Sequence, residues 1–245
     1  MNRRDFSRTL GGLLLAARMK GQDVQNTPAR RSTTPLGRKI AGIPVADSAM
    51  CRKATELARE CYQPYLFNHA MRTYLFGTLV GRSEKMNFDM ELLYLACILH
   101  DIGLTSRFMG ERPFEIEGAE AARKFLERQG LSKVKSTIVW DGIALHAQAA
   151  SEFKRPEIAL VAVGAGADVV GAGLADLSPQ AKAEVLAAFP RLKFKSSFVN
   201  TCADVARRHP RGASRGFMRD IAERYVPDFK APNICDLIEH APFDE

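Results

Sequence analysis

The segment Leu92-Leu93-Tyr94-Leu95-Ala96-Cys97-Ile98-Leu99-His100-Asp101-Ile102-Gly103 decides the fold. It is apolar from Leu92 to Leu99 and closes on a His–Asp doublet. Leu92, Leu95, Ala96 and Leu99 recur at i, i+3, i+4 and i+7, the period of a helix that turns one stripe toward a core. Asp89 stands at its N-terminal cap. Ile102-Gly103 lets the chain turn away after the doublet. An imidazole and a carboxylate at the end of so apolar a helix are costly unless something pairs them. A divalent metal is the simplest partner for both.

Outward from this segment the pattern stays helical. Asp47 or Ser48 caps a helix to about residue 61, and Pro64 opens another over 65–84. Further helices are predicted over 117–129 (stopped by Gly130), 132–146, 156–171, 179–189, 195–208 and 214–225. No stretch shows the strict alternation or paired turn signals of a strand. The predicted class is all-α: one helical domain over 40–245, with its core motifs in 65–171.

The net charge of +7 would suggest a nucleic-acid partner, but its distribution removes that reading. Residues 1–40 carry nine Lys and Arg against Asp5 and Asp23, and residues 41–245 carry 26 basic and 26 acidic residues. The folded part is neutral and offers no electrostatic footprint for DNA or RNA. Arg207, Arg208 and Arg211 read as a solvated helix end. Five scattered cysteines without a C-x-x-C predict no disulfide framework. At the N-terminus, Arg3-Arg4, Phe6 and the short apolar run 10–17 resemble a twin-arginine export signal. That implies handling by the twin-arginine export machinery and a periplasmic location; the other reading is a basic tail on a cytoplasmic protein. The run is too short for stable membrane insertion. Residues 22–39, rich in Arg, Thr and Pro, form a linker, so 1–39 is set apart from the domain.

There are only five histidines. His69 lies mid-helix in 65–84, His100 and Asp101 form the doublet, and Asp168 follows Ile158, Val161 and Ala165 on an apolar stripe. A carboxylate on that stripe must be paired, protonated or metal-bound. Gly164 and Gly166 predict close helix approach rather than a phosphate loop. Two imidazoles and two carboxylates on three helices suit Zn²⁺, Fe²⁺ or Mn²⁺, with an open position for water.

The order H…HD…D resembles the HD-domain superfamily of metal-dependent hydrolases. The likeness extends to Asn68-His69-x-x-Arg72-Thr73-Tyr74, to Glu91 through Ala96, to His100-Asp101-x-Gly103-Leu104-Thr105 and to Phe114-Glu115-x-Glu117-Gly118-Ala119. It continues through Val139-Trp140-Asp141-x-Ile143-Ala144-Leu145-His146 and Asp168-Val169-Val170-Gly171. Together these look like the cyanamide hydratase-like branch. The resemblance implies His69, His100, Asp101 and Asp168 as ligands of one divalent metal, zinc favoured. One metal is expected because only His146 lies between the doublet and Asp168. Asp101, His146, Glu117 and Arg72 are the candidate catalytic residues. His146 is a ligand, a proton carrier or a helix cap; Glu117 flanks a substrate mouth at 105–114 or is an N-terminal helix charge. Arg72 steers a substrate or pairs with Asp168 or Glu117. The implied activity is addition of metal-activated water to a small molecule, nitrile hydration of the cyanamide-to-urea type. The alternative is phosphohydrolysis of a nucleotide or phosphomonoester, with Arg72 and Arg107 as the available cations.

Overall fold

The structure, a computed structural model, describes residues 39–243. The twin-arginine-like segment and nearly all of the linker lie outside the described residues. The described residues form an all-α bundle: α1 Ala49–Cys61, α2 Pro64–Ser83, α3 Met90–Leu99, α4 Phe114–Arg128, α5 Lys133–Leu145, α6 Pro156–Val170, α7 Pro179–Ala188, α8 Phe194–Arg208, α9 Gly216–Tyr225 and α10 Ile234–Glu239.

Local chemistry sets most of the helix ends. The Ser48 side chain accepts the Cys51 N–H at α1, and Asp89 accepts from Glu91 and Leu92 at α3. Pro64, Pro156 and Pro179 each stand at the start of a helix, where the missing N–H costs nothing. Gly171 ends α6 with φ 80°. Several elements depart from the sequence reading, among them α10, which has no predicted counterpart. Lys39–Ile40 and Ile43–Pro44 pair as a minimal antiparallel hairpin around Ala41 and Gly42, both at positive φ (50° and 73°). Strands of two residues are too short to show alternation. Helix α4 begins at Phe114, three residues before the predicted start, because Pro113 ends the extended loop there.

Helix α3 is not a one-faced helix. Every side chain from Leu92 to Leu99 is buried, so the predicted stripe is a full girdle and α3 is the axis of the bundle. Helix α2 is equally enclosed from Tyr65 to Thr78. It packs on α6 at backbone contact: a Cβ at Gly164 would strike the Thr73 carbonyl, and one at Gly77 the Leu160 carbonyl. This contact ties the helix that carries His69 to the helix that carries Asp168. Gly164→Ala is therefore expected to cost about 3 kcal/mol by forcing the helices apart. Urea melts check this, and a loss below about 0.5 kcal/mol would show that the packing yields.

Candidate metal centre

Three helix ends and one helix interior converge in the core. His69 projects from the middle of α2. His100 caps α3, and Asp101 opens the 3₁₀ turn Ile102–Leu104. Gly103 within that turn has an ordinary backbone; its small size lets the turn press on the Phe114 carbonyl and Gly118 at the start of α4. His146 caps α5 as His100 caps α3, both in helical conformation and both with Nδ1 on the carbonyl three residues earlier. The distances are 2.8 Å to Cys97 for His100 and 2.7 Å to Ile143 for His146. His69, His100 and Asp101 are at most 1 % exposed.

The hydrogen bonds fix the tautomers. A backbone carbonyl accepts only, so Nδ1 of His100 and of His146 carries a proton. Nδ1 of His69 donates to Asp168 Oδ2 at 2.7 Å. The Nε2 atoms of His69 and His100 then face each other at 3.1 Å, and lie 3.5 and 3.3 Å from Asp101 Oδ2. His146 Nε2 lies 3.8 Å from Asp101 Oδ1. Neither Asp101 oxygen has a hydrogen-bond partner among the described residues. One proton relieves at most two of these atoms. A divalent cation relieves them all, since donors around one tetrahedral metal lie about 3.3 Å apart. The donor atoms of His69, His100 and Asp101 fall within 4.8 Å of one another. The residues fit a metal.

Electrostatics agree. Burial alone would push the Asp101 carboxyl up, but the imidazoles of His100, His69 and His146 hold it well below the usual carboxylate range. Burial lowers His69. Burial and the neighbouring His100 push His146 down to about 4. Phe194 and Phe198 cover one side of His69, at 4.7 and 5.9 Å between ring centres, and Phe114 abuts His146 at 5.8 Å.

The sequence reading makes Asp168 the fourth ligand. The structure instead places its carboxylate behind His69, on the Nδ1 side. Arg72 binds it bidentately, both contacts at 2.7 Å, and Arg191 adds a third at 2.7 Å. With these donors on its two oxygens, Asp168 is an orienting group: a carboxylate on the distal nitrogen sets the ring and strengthens Nε2 as a donor. Its carboxyl is held well below the usual range by His69 and Arg72 against the effect of burial.

Two candidate catalytic residues are also placed elsewhere. Arg72 is fully buried, and its remaining contacts go to the Phe189 and Pro190 carbonyls, so it presents nothing to a substrate. Glu117 pairs with Arg112 at 2.7 Å on the surface. The earlier start of α4 turns Glu115 inward instead, at 8 % exposure. Burial, with the Asp101 charge adding, pushes its carboxyl up to about 7. Sequence reasoning passed over Glu115; its only signal was its place two residues before Glu117 in the same motif. Asn68 donates to the Pro190 carbonyl and is structural. Thr105, Ser106 and Met109 from the predicted mouth line a groove of about 460 Å³ with Tyr65, Leu66 and Thr201.

Residues 66–172 match the HD domain family, and the chain carries an HD domain. Beyond that domain match, the chain is similar to cyanamide hydratases. The cyanamide hydratases DDI2 and DDI3 of Saccharomyces cerevisiae are each 23% identical to it over 195 residues, covering 77% of this chain and 87% of theirs. An uncharacterized protein of Clostridium beijerinckii is 27% identical over 84 residues, 34% of this chain and 54% of that protein.

Asp101→Asn is expected to abolish metal binding, whereas Asp168→Asn should keep one metal per chain with roughly 10–100-fold weaker affinity. Elemental analysis and chelator competition separate the two; equal loss of metal in both variants would make Asp168 a ligand. Glu115 gives a pH prediction. Its carboxyl ionises near 4.5 in the unfolded chain and near 7 when folded. Its contribution is thus fully present below pH 4.5 and lost as pH rises through 7, by up to about 3 kcal/mol. Urea melts at pH 5 and pH 8 should show a smaller decline in Glu115→Gln than in the native chain.

Proposed function

We propose that the protein is a metal-dependent HD enzyme that adds water to a small uncharged substrate, in nitrile hydration of the cyanamide-to-urea type. The observation that carries this reading is where the cations go. Phosphoryl transfer needs cationic groups aimed at the phosphate oxygens. Arg72 and Arg191 are both committed to Asp168, Arg107 lies on the surface 3.5 Å from Glu60, and Arg208, which lines the groove, is paired with Asp204 at 3.7 Å. The names of the two yeast relatives point the same way.

His69, His100 and Asp101 would hold the metal, zinc being favoured by this mixed nitrogen and oxygen set. A divalent cation there supplies Lewis acidity, polarising a nitrile and acidifying water near neutral pH. Addition of water forms one C–O σ bond, opens one C–N π bond and moves one proton from oxygen to nitrogen, giving isourea. A second proton then moves from oxygen to nitrogen as the remaining C–N π bond is exchanged for a C–O π bond, giving urea. In this reading His146, with Nε2 3.8 Å from Asp101, would take a proton from oxygen, and the buried carboxyl of Glu115, pushed up to about 7 by burial, would return one. The groove beside Thr105 serves as the approach to the centre. Export through the Arg3-Arg4 segment is part of the same proposal and rests on the sequence alone.

Purified, zinc-loaded protein is expected to release urea from cyanamide, and Asp101→Ala is expected to release none. Absence of turnover in protein that holds one metal would reject the substrate. Phosphate release from nucleoside monophosphates by that protein would establish the phosphohydrolase reading instead.

A further inference from the structure

The cluster Arg207, Arg208 and Arg211, which reads from the sequence as a solvated helix end, divides in the structure. Arg207 and Arg208 turn back onto Asp204, at 3.2 and 3.7 Å. Arg211 makes no ion pair and no side-chain hydrogen bond with any of the described residues, and neither do Arg215 and Lys230. These three exposed cations line one surface hollow of about 510 Å³. Among the described residues no carboxylate, imidazole or thiol lines it, and it shares no residue with the groove beside Thr105.

Three like charges around one concavity repel one another, and nothing in the lining offsets them. Surface cations ordinarily relieve such crowding by moving apart into water. Here the backbone that carries two of them is pinned. Gly212 lies so close to Arg112 that a Cβ would strike its carbonyl, Ala213 is 2 % exposed, and Ser214 Oγ donates to the Arg211 carbonyl at 2.8 Å. That loop holds Arg211 and Arg215 at the hollow, while Lys230 arrives from the chain after α9. The arrangement is unfavourable empty and favourable around an anion.

We propose that this hollow binds a phosphate-bearing small molecule of nucleotide size. Guanidinium groups match phosphate oxygens in geometry as well as in charge, and the lysine adds a third cation. The volume exceeds what a bare phosphate fills and falls in the range of small-molecule sites. The remaining wall includes the rings of Pro113, Pro210 and Pro232, apolar faces without N–H groups that suit a sugar or a base. With no metal ligand and no acid–base side chain in its lining, the hollow holds its ligand without transforming it. The proposal is independent of the hydratase reading, since none of the candidate metal ligands lines the hollow.

The test is calorimetric titration of the full, metal-loaded chain with ADP and, separately, with adenosine. ADP is expected to bind at one site per chain and adenosine not to bind. Arg211→Ala, Arg215→Ala and Lys230→Ala are each expected to weaken ADP by about tenfold while keeping the native metal content and thermal midpoint. Lys230 lies outside the pinned loop, so its variant reads the charge alone should either arginine variant melt early. Arg128→Ala, which removes an exposed arginine outside the hollow, is expected to leave ADP affinity unchanged. Absence of ADP binding to the native chain overturns the proposal, as does unchanged affinity in the three hollow variants. An equal loss in Arg128→Ala overturns it too, since the attraction would then follow net charge, and so does adenosine binding as tightly as ADP.

Discussion

Two imidazole lone pairs and a carboxylate point at one another inside the apolar core, and the rest of the structure answers to that constraint. Each histidine has its other nitrogen committed: to the Cys97 carbonyl, the Ile143 carbonyl or the Asp168 carboxylate. That commitment prevents the rings from rotating to relieve the crowding. The arrangement is unfavourable as protein alone and favourable around a cation, which is the signature of a site built for one. The fold supplies rigidity where this tension sits. Helix α3 is enclosed on every side, and α2 is locked to α6 by backbone contact.

Asp168 shows how the brace is extended. One carboxylate holds the His69 ring and is itself held by two guanidinium groups, Arg72 from the same helix and Arg191 from beyond α7. Arg72 then bonds the Phe189 and Pro190 carbonyls, so the chain after α7 is anchored to the metal centre through three side chains in series. Arg72 is buried completely and tolerated because the Asp168 carboxylate meets it bidentately and backbone carbonyls take its remaining N–H groups. Removing either partner would strand a charge, so these residues belong to the stability of the site as much as to its chemistry.

The sequence made some of this legible and left the rest obscure for physical reasons. The helical class, most boundaries and the His69, His100, Asp101 group follow from local signals: a 3.6-residue period, caps, prolines and the cost of burying polar groups. The encirclement of α3 does not follow, since four apolar positions on one stripe are consistent with either a faced or a buried helix, and only the neighbours decide. Asp168 was recognisable as a buried carboxylate needing a partner, but its partners lie 96 and 23 residues away, beyond any local pattern. Glu115 and Glu117 were indistinguishable by type. A three-residue shift in where α4 begins decides which one faces inward, and helix starts are the least determined feature of a sequence.

The same geometry constrains what can react. Ligand residues at most 1 % exposed, walled by Phe194, Phe198 and Phe114, lie in a medium where charges are poorly screened and water is scarce. A phosphomonoester dianion entering such a place would shed its hydration and find the Arg72 and Arg191 guanidinium groups already neutralised by Asp168. A small neutral nitrile sheds little, fits among aromatic rings, and asks only for polarisation at carbon and protons at nitrogen. In the proposed reading Lewis acidity, a neutral imidazole and a carboxyl pushed up to about 7 would meet that demand. Under the proposed reading it is the balance of solvation energies, more than any one residue, that would favour hydration over phosphohydrolysis.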